Sequence, residues 1–297
     1  MIFGMPEEEY FAPGHRACAG CGAATAMRLI TKAAGPNTVL VESTGCMEVV
    51  STPYPQTAWR LPWIHGAFEN SAAIASGVEA ALKAQGRKKD INVVAFAGDG
   101  STFDIGIGPI SGMFERNHDV LYVCYDNEAY MNTGIQRSSA TPFGASTSTH
   151  PAGKESKGKT EWKKDLTHII AAHGTPYVAT ASISHPRDLF KKIQKGIEIK
   201  GATFVHILAP CPTGWRSDGA KTVEIAKLAV NSGVFPLFEI EDGKHVIQRP
   251  KKVTADIREY LKLQGRFKHL DEKDITFIEE QVKKRYDRLV KLAESGL

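Results

Sequence analysis

Short apolar runs alternate with segments of helical period along most of the chain. The runs at 38–42, 91–97, 120–125, 177–181 and 203–209 are rich in Val, Ile, Phe and Tyr. They lack a regular polar face, which predicts strands buried on both sides, as in a parallel sheet. Helices are predicted over 23–34, 69–85, 106–116, 166–173 and 186–199; in the second, Ala72, Ala73, Ala75, Ser76, Gly77 and Ala80 permit close packing on a sheet. Residues 1–13 read as an irregular arm closed by Pro13-Gly14. Residues 51–66, with three prolines and two tryptophans, read as an ordered loop, and 141–161, rich in Ser, Thr, Gly and Lys, as a polar surface loop or one ordered by a partner or cofactor. From 219 the pattern changes to a helix ending near 232, a hairpin around Glu241-Asp242-Gly243-Lys244, and two charged amphipathic helices at 254–263 and 273–295. No internal repeat is evident. The expected architecture is α/β, a mostly parallel sheet with helices on both faces over residues 1–218. A small C-terminal helical extension, 219–297, is expected to pack on the core or at a subunit interface.

Ligands of such sheets gather beyond the carboxyl ends of the strands. The run at 91–97 ends in Gly98-Asp99-Gly100, a Gly-rich turn that lets the backbone approach a phosphorylated ligand, and 106–116 can present free helical N–H groups to it. The run at 120–125 ends in Asp126-Asn127-Glu128-Ala129. Two parallel strands thus bring a carboxylate, Asp99, and an amide, Asn127, to one edge, where they can share a hard cation with diphosphate oxygens. Magnesium suits that role because it takes few protein ligands and completes its octahedron with phosphate and water. Gly-Asp-Gly alone is an ordinary turn. A nicotinamide site matches less well, since Phe103 stands where a third glycine belongs. The spacing from Gly-Asp-Gly to Asn127, followed by Asn132-Thr133-Gly134, resembles thiamine-diphosphate enzymes.

Composition sets outer bounds. The chain has 297 residues and a formal net charge of +4, too mild to argue for nucleic acid or a membrane surface. It has no run of eighteen apolar residues and an acidic beginning, so neither a membrane span nor a signal peptide is expected, and the expected location is cytoplasmic. Five cysteines without a secretory signal argue for reduced thiols. Cys124 lies inside a predicted buried strand and reads as a core residue. Cys18-x-x-Cys21 has metal-binding spacing, and Cys46 and Cys211 each follow a predicted strand end. Four thiolates suffice for a tetrahedral zinc site or a 4Fe-4S cluster; a redox dithiol or plain packing are the alternatives for the pair alone.

The Cys-x-x-Cys-Gly turn, the Thr44-Gly45-Cys46 segment, Gly-Asp-Gly, the stretch Tyr125-Asp126-Asn127-Glu128-Ala129-Tyr130-Met131-Asn132-Thr133-Gly134, Gln136 and Pro210-Cys211 together resemble the β subunits of 2-oxoacid:ferredoxin oxidoreductases, over nearly the whole chain. The resemblance implies a thiamine-diphosphate-binding fold with Cys18, Cys21, Cys46 and Cys211 as 4Fe-4S ligands. It implies Mg2+ held by Asp99, Asn127 and the carbonyl of Ala129, with Gly98, Gly100 and Ser101 around the diphosphate. Asn132 would lie near the reactive carbon and act in catalysis, with Thr133 and Cys46 beside the cofactor. Some relatives carry an acidic residue near the cofactor where this chain has Ala23, so that contact is not implied here. The implied reaction is CoA-dependent oxidative decarboxylation, electrons leaving one at a time through the cluster.

Partners are implied as well. They are an α subunit supplying the glutamate that activates thiamine, γ and δ (ferredoxin-like) subunits, ferredoxin, coenzyme A and the 2-oxoacid. Glu42, Glu48 and Glu69 are poorly spaced to replace that glutamate. Pyruvate is the favoured substrate by overall resemblance, with 2-oxoisovalerate, 2-oxoglutarate and oxalate as alternatives. Two competing classes are a non-redox thiamine decarboxylase subunit with structural zinc, and an electron-transfer module without thiamine; Asp99, Asn127 and Asn132 argue against the second. His65 is expected to be a satisfied, partly buried histidine. Lys154, Lys157, Lys159, Lys163 and Lys164 are expected to be a solvated basic loop rather than a docking site.

Overall fold

The computed structural model describes residues 4–296. After an irregular arm come helix α1 (Gly22–Ala34), strand β1 (Thr38–Ser43), a short helix α2 (Cys46–Ser51) and strand β2 (Trp63–Gly66). Then follow α3 (Ser71–Ala84), β3 (Asn92–Gly98), α4 (Ile107–Glu115) and β4 (Leu121–Asp126). A long ordered connection leads to α5 (Leu166–Ala171), β5 (Tyr177–Ser182), α6 (Pro186–Glu198), β6 (Thr203–Leu208) and the single turn α7 (Pro212–Trp215). The chain closes with α8 (Thr222–Asn231), the hairpin β7 (Leu237–Glu241) and β8 (Lys244–Arg249), α9 (Ile257–Lys262) and α10 (Glu272–Ser295). No helix among the described residues is long and apolar enough to cross a membrane.

All eight strands form one sheet in the order β2-β1-β3-β4-β6-β5-β7-β8. The first six run parallel, and β7 and β8 are antiparallel additions at one edge. Alternate side chains of the central strands feed two cores. On one face Leu40, Val94, Phe96 and Val205 meet α1 and α6 through Met27, Ile30, Leu189 and Ile193. On the other, Val41, Ala95, Tyr122 and Phe204 meet α3, α4 and α5 through Ala75, Met113, Phe114 and Ile170. Burial on both faces is why these strands read as unbroken apolar runs.

Strand β2, the short helices α2 and α7, and the pairing of the expected hairpin with the main sheet escaped the sequence reading. β2 lies within the stretch read as an ordered loop, because an edge strand of four residues among prolines carries little periodic signal. The C-terminal segment, expected to be mainly helical, also extends the sheet through β7 and β8, and α10 packs on β8. A third core around Trp215, Ile225, Phe235, Tyr260 and Ile278 joins that segment to the connection after β4. The 141–161 stretch is ordered against it, with Thr147 and Lys159 buried.

Phe204 is fully buried on β6 and packs edge-on against Phe114 and face-on against Tyr122. Phe204→Ala is therefore expected to lower stability by about 3–5 kcal/mol in guanidinium unfolding. Val246→Ala, on the exposed edge strand, is expected to leave the midpoint within about 0.5 kcal/mol of the parent.

Candidate active site

Strands β1, β3, β4 and β6 are consecutive neighbours in the sheet, and each hands over one residue past its carboxyl end. In that order these are Cys46, Asp99, Asn127 and Cys211. The Gly98-Asp99-Gly100 segment is not the free turn expected from its glycines. Asp99 already has helical backbone angles, and a wide helical turn over Gly100–Ile105 precedes α4. The N–H groups closest to Asp99 are thus those opening this turn rather than those of 106–116, and the first N–H groups of a helical segment have no partner within it.

Asp99 is buried; one carboxylate oxygen accepts the Asn127 backbone N–H at 3.3 Å and the other the Ser138 hydroxyl at 2.5 Å. The Asn127 side-chain amide lies 2.9 Å from the Ala129 carbonyl and 3.0 Å from Asp99 Oδ1, and with its NH2 toward them it donates to both. With its oxygen toward them instead, the same turn presents three oxygens that repel unless a cation lies among them. Neighbouring ligands of an octahedral Mg2+, at about 2.0–2.1 Å from the ion, are about 2.9 Å apart, so this donor set fits the ion. Burial, then the nearby Asp126 carboxylate, push Asp99 well above the usual carboxylate range, a penalty that a bound cation offsets.

A cleft of about 80 Å3 opens over this point. Its walls include every residue expected on the cofactor side: Cys46, Gly98, Asp99, Gly100, Ser101, Asn127, Ala129, Asn132 and Thr133. Gly100 is required by close approach, since a Cβ there would lie 2.5 Å from the Tyr130 ring. Tyr130 is held by its hydroxyl, which donates to Asp104 at 3.0 Å. The Ser101 hydroxyl donates to the Phe68 carbonyl, which leaves its backbone N–H as the group to offer a phosphate.

Cys21 caps α1, Cys46 begins α2 and Cys211 caps α7, where its sulfur accepts the Gly214 N–H at 3.4 Å. The loop carrying Cys18 and Cys21 is tied to the Cys211 segment by the Gly22 N–H, which donates to the Pro210 carbonyl at 3.1 Å, and by the Thr222 hydroxyl on the Gly20 carbonyl at 2.7 Å. Cys18 is exposed and the other three half-buried. Burial raises the Cys21 and Cys211 thiols, and pushes Cys46 up to about 12 with help from Cys211, Cys21, Asp99 and Cys18. The four are thus mutual electrostatic neighbours. Among the described residues, however, no three His, Cys, Asp or Glu side chains stand close enough to grip a single metal ion.

Beneath the oxygen cluster lies a charged layer that the sequence reading assigned to a solvated loop. Lys163 reaches inward from the 141–165 connection to pair with Asp126 and, at 2.9 Å, with Glu128. His206 completes the set at 2.7 Å from Asp126. Burial alone would raise Asp126, but Lys163 and then His206 hold it at about 2. Lys159 is also buried, donating to the Ser139 and Thr141 carbonyls. Lys157 pairs with Asp271 and Asp274, and Lys164 with Asp104. Lys154 and Lys157 are exposed, as the solvated expectation had it, whereas Lys159 and Lys163 are not.

Residues 43–207 match the thiamine pyrophosphate enzyme C-terminal TPP-binding domain. The chain is 54% identical to pyruvate synthase subunit PorB of Methanocaldococcus jannaschii, over 98% of this chain and 99% of that one. It is 59% identical to the PorB subunit of Methanothermobacter thermautotrophicus, over 94% and 96%. Ketoisovalerate oxidoreductase subunit VorB of Pyrococcus abyssi is 49% identical over 98% and 95%. A solved 2-oxoglutarate:ferredoxin oxidoreductase from Magnetococcus marinus shares the fold, with TM-score 0.60 at 22% identity, covering 93% of this chain and 97% of that one. This chain belongs to the β subunits of the 2-oxoacid:ferredoxin oxidoreductases.

Within this β-subunit family frame, several contributors had no legible signal in the sequence. Phe68 lines the cleft with no spacing that marks it, and Thr44, Tyr125, Tyr130 and Met131, although inside the motifs quoted above, had been given no role there. Ser138, on Asp99, and Lys163 come from a segment with no regular period. His65 is exposed rather than partly buried, stacks on Trp63 and is 2.7 Å from the Thr44 hydroxyl, because β2 is an edge strand. Cys124 is fully buried in β4, as expected.

Asp126, with its acidity strengthened, adds stability at neutral pH that is lost as pH falls from its ordinary value near about 4 toward about 2. Lys163→Met leaves two buried carboxylates without their shared cation. It is expected to cost about 3–5 kcal/mol in urea unfolding at pH 7. The acid-unfolding midpoint followed by circular dichroism is expected at higher pH than in the parent, and an unchanged midpoint would show that Lys163 does not hold Asp126.

Proposed function

We propose that this chain is the cofactor-bearing β subunit of a pyruvate:ferredoxin oxidoreductase (pyruvate synthase) complex. The complex interconverts pyruvate, coenzyme A and two oxidised ferredoxins with acetyl-CoA, CO2, a proton and two reduced ferredoxins. The observation that carries the reading is the row of four neighbouring strand ends, which sets Asp99 and the Asn127–Ala129 turn, a donor set that suits a hard cation, between two cysteines of a four-cysteine set. The stronger identities to chains named pyruvate synthase subunit PorB, against 49% to VorB, favour pyruvate over a branched-chain 2-oxoacid.

Asp99, Asn127 and the Ala129 carbonyl hold Mg2+, and the backbone from Gly98 to Ser101 receives the diphosphate. Cys18, Cys21, Cys46 and Cys211 hold a 4Fe-4S cluster. When bound, thiamine diphosphate supplies the carbanion chemistry that releases CO2 from a 2-oxo acid, and the cluster accepts electrons singly. The chain's own part is placement. Asp99 and Asn127 fix the charged end of the cofactor, while Asn132 and Thr133 on the cleft rim offer hydrogen bonds to the substrate. Cys46 lines the cleft and belongs to the thiol set as well, so it is the residue that the two share. A cleft of about 80 Å3 is far below the roughly 300–1,000 Å3 of pockets that engulf a ligand. That supports a partner subunit, bringing the activating carboxylate, as the opposite wall.

Anaerobic purification with co-purifying subunits is expected to give iron and sulfide and a broad band near about 400 nm that bleaches on adding pyruvate with coenzyme A. Colourless protein with stoichiometric zinc would remove the redox role, and bleaching by 2-oxoisovalerate but not pyruvate would move the substrate assignment. Cys46→Ser and Cys211→Ser are expected to retain thiamine diphosphate in equilibrium dialysis and lose ferredoxin reduction. Asp99→Asn is expected to keep the iron and lose Mg2+-dependent cofactor binding by about 10- to 100-fold.

A further inference from the structure

The turn that carries Asn127 and Ala129 is not self-supporting. Glu128, between them, has φ of +68°, a left-handed conformation that costs a non-glycine residue about 1–2 kcal/mol. Its N–H is bound locally, to Asp126 at 2.9 Å. The other anchors come from distant parts of the chain. The indole N–H of Trp215 donates to the Asn127 carbonyl at 2.8 Å, and the Thr141 hydroxyl to the Glu128 carbonyl at 2.7 Å. The Glu128 carboxylate meets Arg266 Nη2 at 2.5 Å.

Trp215 and Arg266 are themselves one unit. The guanidinium lies 3.9 Å from the centroid of the indole, and its Nε and Nη2 both rest on the Gln264 side-chain oxygen, at 3.0 and 2.8 Å. Trp215 and Gln264 are fully buried and Arg266 is 2% exposed. Trp215 ends α7, whose Gly214 is pressed on Met131 of the cofactor loop so closely that a Cβ would lie 2.1 Å from its sulfur. A buried arginine is a costly way to fill space, and an apolar side chain would do so more cheaply. What arginine adds is a planar fork that fixes direction, toward Glu128 on one side and the indole face on the other.

We propose that Trp215 and Arg266 are positioning residues for the metal site, bracing the Asn127–Ala129 turn so that its amide and carbonyl oxygens point at the same spot as Asp99. The peptide plane after Asn127 is pinned by the indole N–H and the next side chain by the guanidinium, so the Ala129 carbonyl two residues on has little freedom. The proposal rests on reading this turn as the site of Mg2+ and thiamine diphosphate.

The test is the Mg2+ concentration that half-saturates thiamine diphosphate binding, by equilibrium dialysis of the purified, cofactor-stripped complex, with iron content measured on the same samples. Trp215→Phe and Arg266→Gln are each expected to raise it about tenfold with iron unchanged, as loss of an outer partner of a metal ligand does. Arg266→Lys is expected to recover most of the loss, and the double variant to fall short of the sum because both act on one turn. Parent-like Mg2+ requirements in Trp215→Phe and Arg266→Gln would overturn the brace while leaving the cofactor site standing. If Trp215→Phe loses iron together with cofactor, α7 has collapsed and Arg266→Gln decides in the same way. A parent complex that takes up no thiamine diphosphate at any Mg2+ concentration overturns both the brace and the site.

Discussion

Asp126 and Glu128 flank Asn127 at the end of the central strand β4, both buried, and an aspartate at position 99 lies across from them. Three carboxylates in so small a volume are tolerable only if positive charge is built in around them. Lys163 reaches two of them, Arg266 braces one and His206 touches another, while, among the described residues, Asp99 is met only by the Ser138 hydroxyl and the amide groups of Asn127. The protein thus pairs the two carboxylates that shape the turn with cations of its own and gives the third, Asp99, none. That division of charge organises the neighbourhood, because it forces the 141–165 connection and the segment after α9 to fold back under the strand ends.

The same edge carries the thiols. Cys46 follows β1 and Cys211 follows β6, strands separated by β3 and β4, so the cation-type oxygens lie between the two cysteines. The remaining pair arrives from before α1, clipped to Pro210 by a single backbone hydrogen bond. On the function proposed above, a rigid row of parallel strands would hold the cofactor and the electron acceptor at fixed separation. The shallow cleft belongs to the same logic, since a subunit that presents half a site leaves its other wall to a partner.

Residues whose chemistry needs a spacing were legible in the linear chain. Asp99 and Asn127 one helix and one strand apart, and the Cys18-x-x-Cys21 pair, are such cases, because strand ends recur at intervals that a periodic pattern reveals. Apolar runs marked β1, β3, β4, β5 and β6 for the same reason, and a turn signal marked the β7–β8 hairpin, so seven of the eight strands were legible. Lys163 and Lys159 read as solvated because a lysine looks the same in a sequence whether its ammonium meets water or buried carbonyls. His65 was misplaced for the converse reason, its exposure following from the edge position of β2.

What the sequence determined by itself is the order of strands and helices, the ligand types at strand ends and, through them, the family. Those depend on local periodicity and on donor atoms that are fixed once the residue is named. Only the tertiary structure decided that Asp99 turns straight into a helix, that a tryptophan and an arginine 88 and 138 positions beyond the turn hold it from below, and that the antiparallel hairpin joins the main sheet. These are contacts between segments far apart in the chain, set by which buried charges and backbone groups must find partners, and no local pattern records where such partners come from.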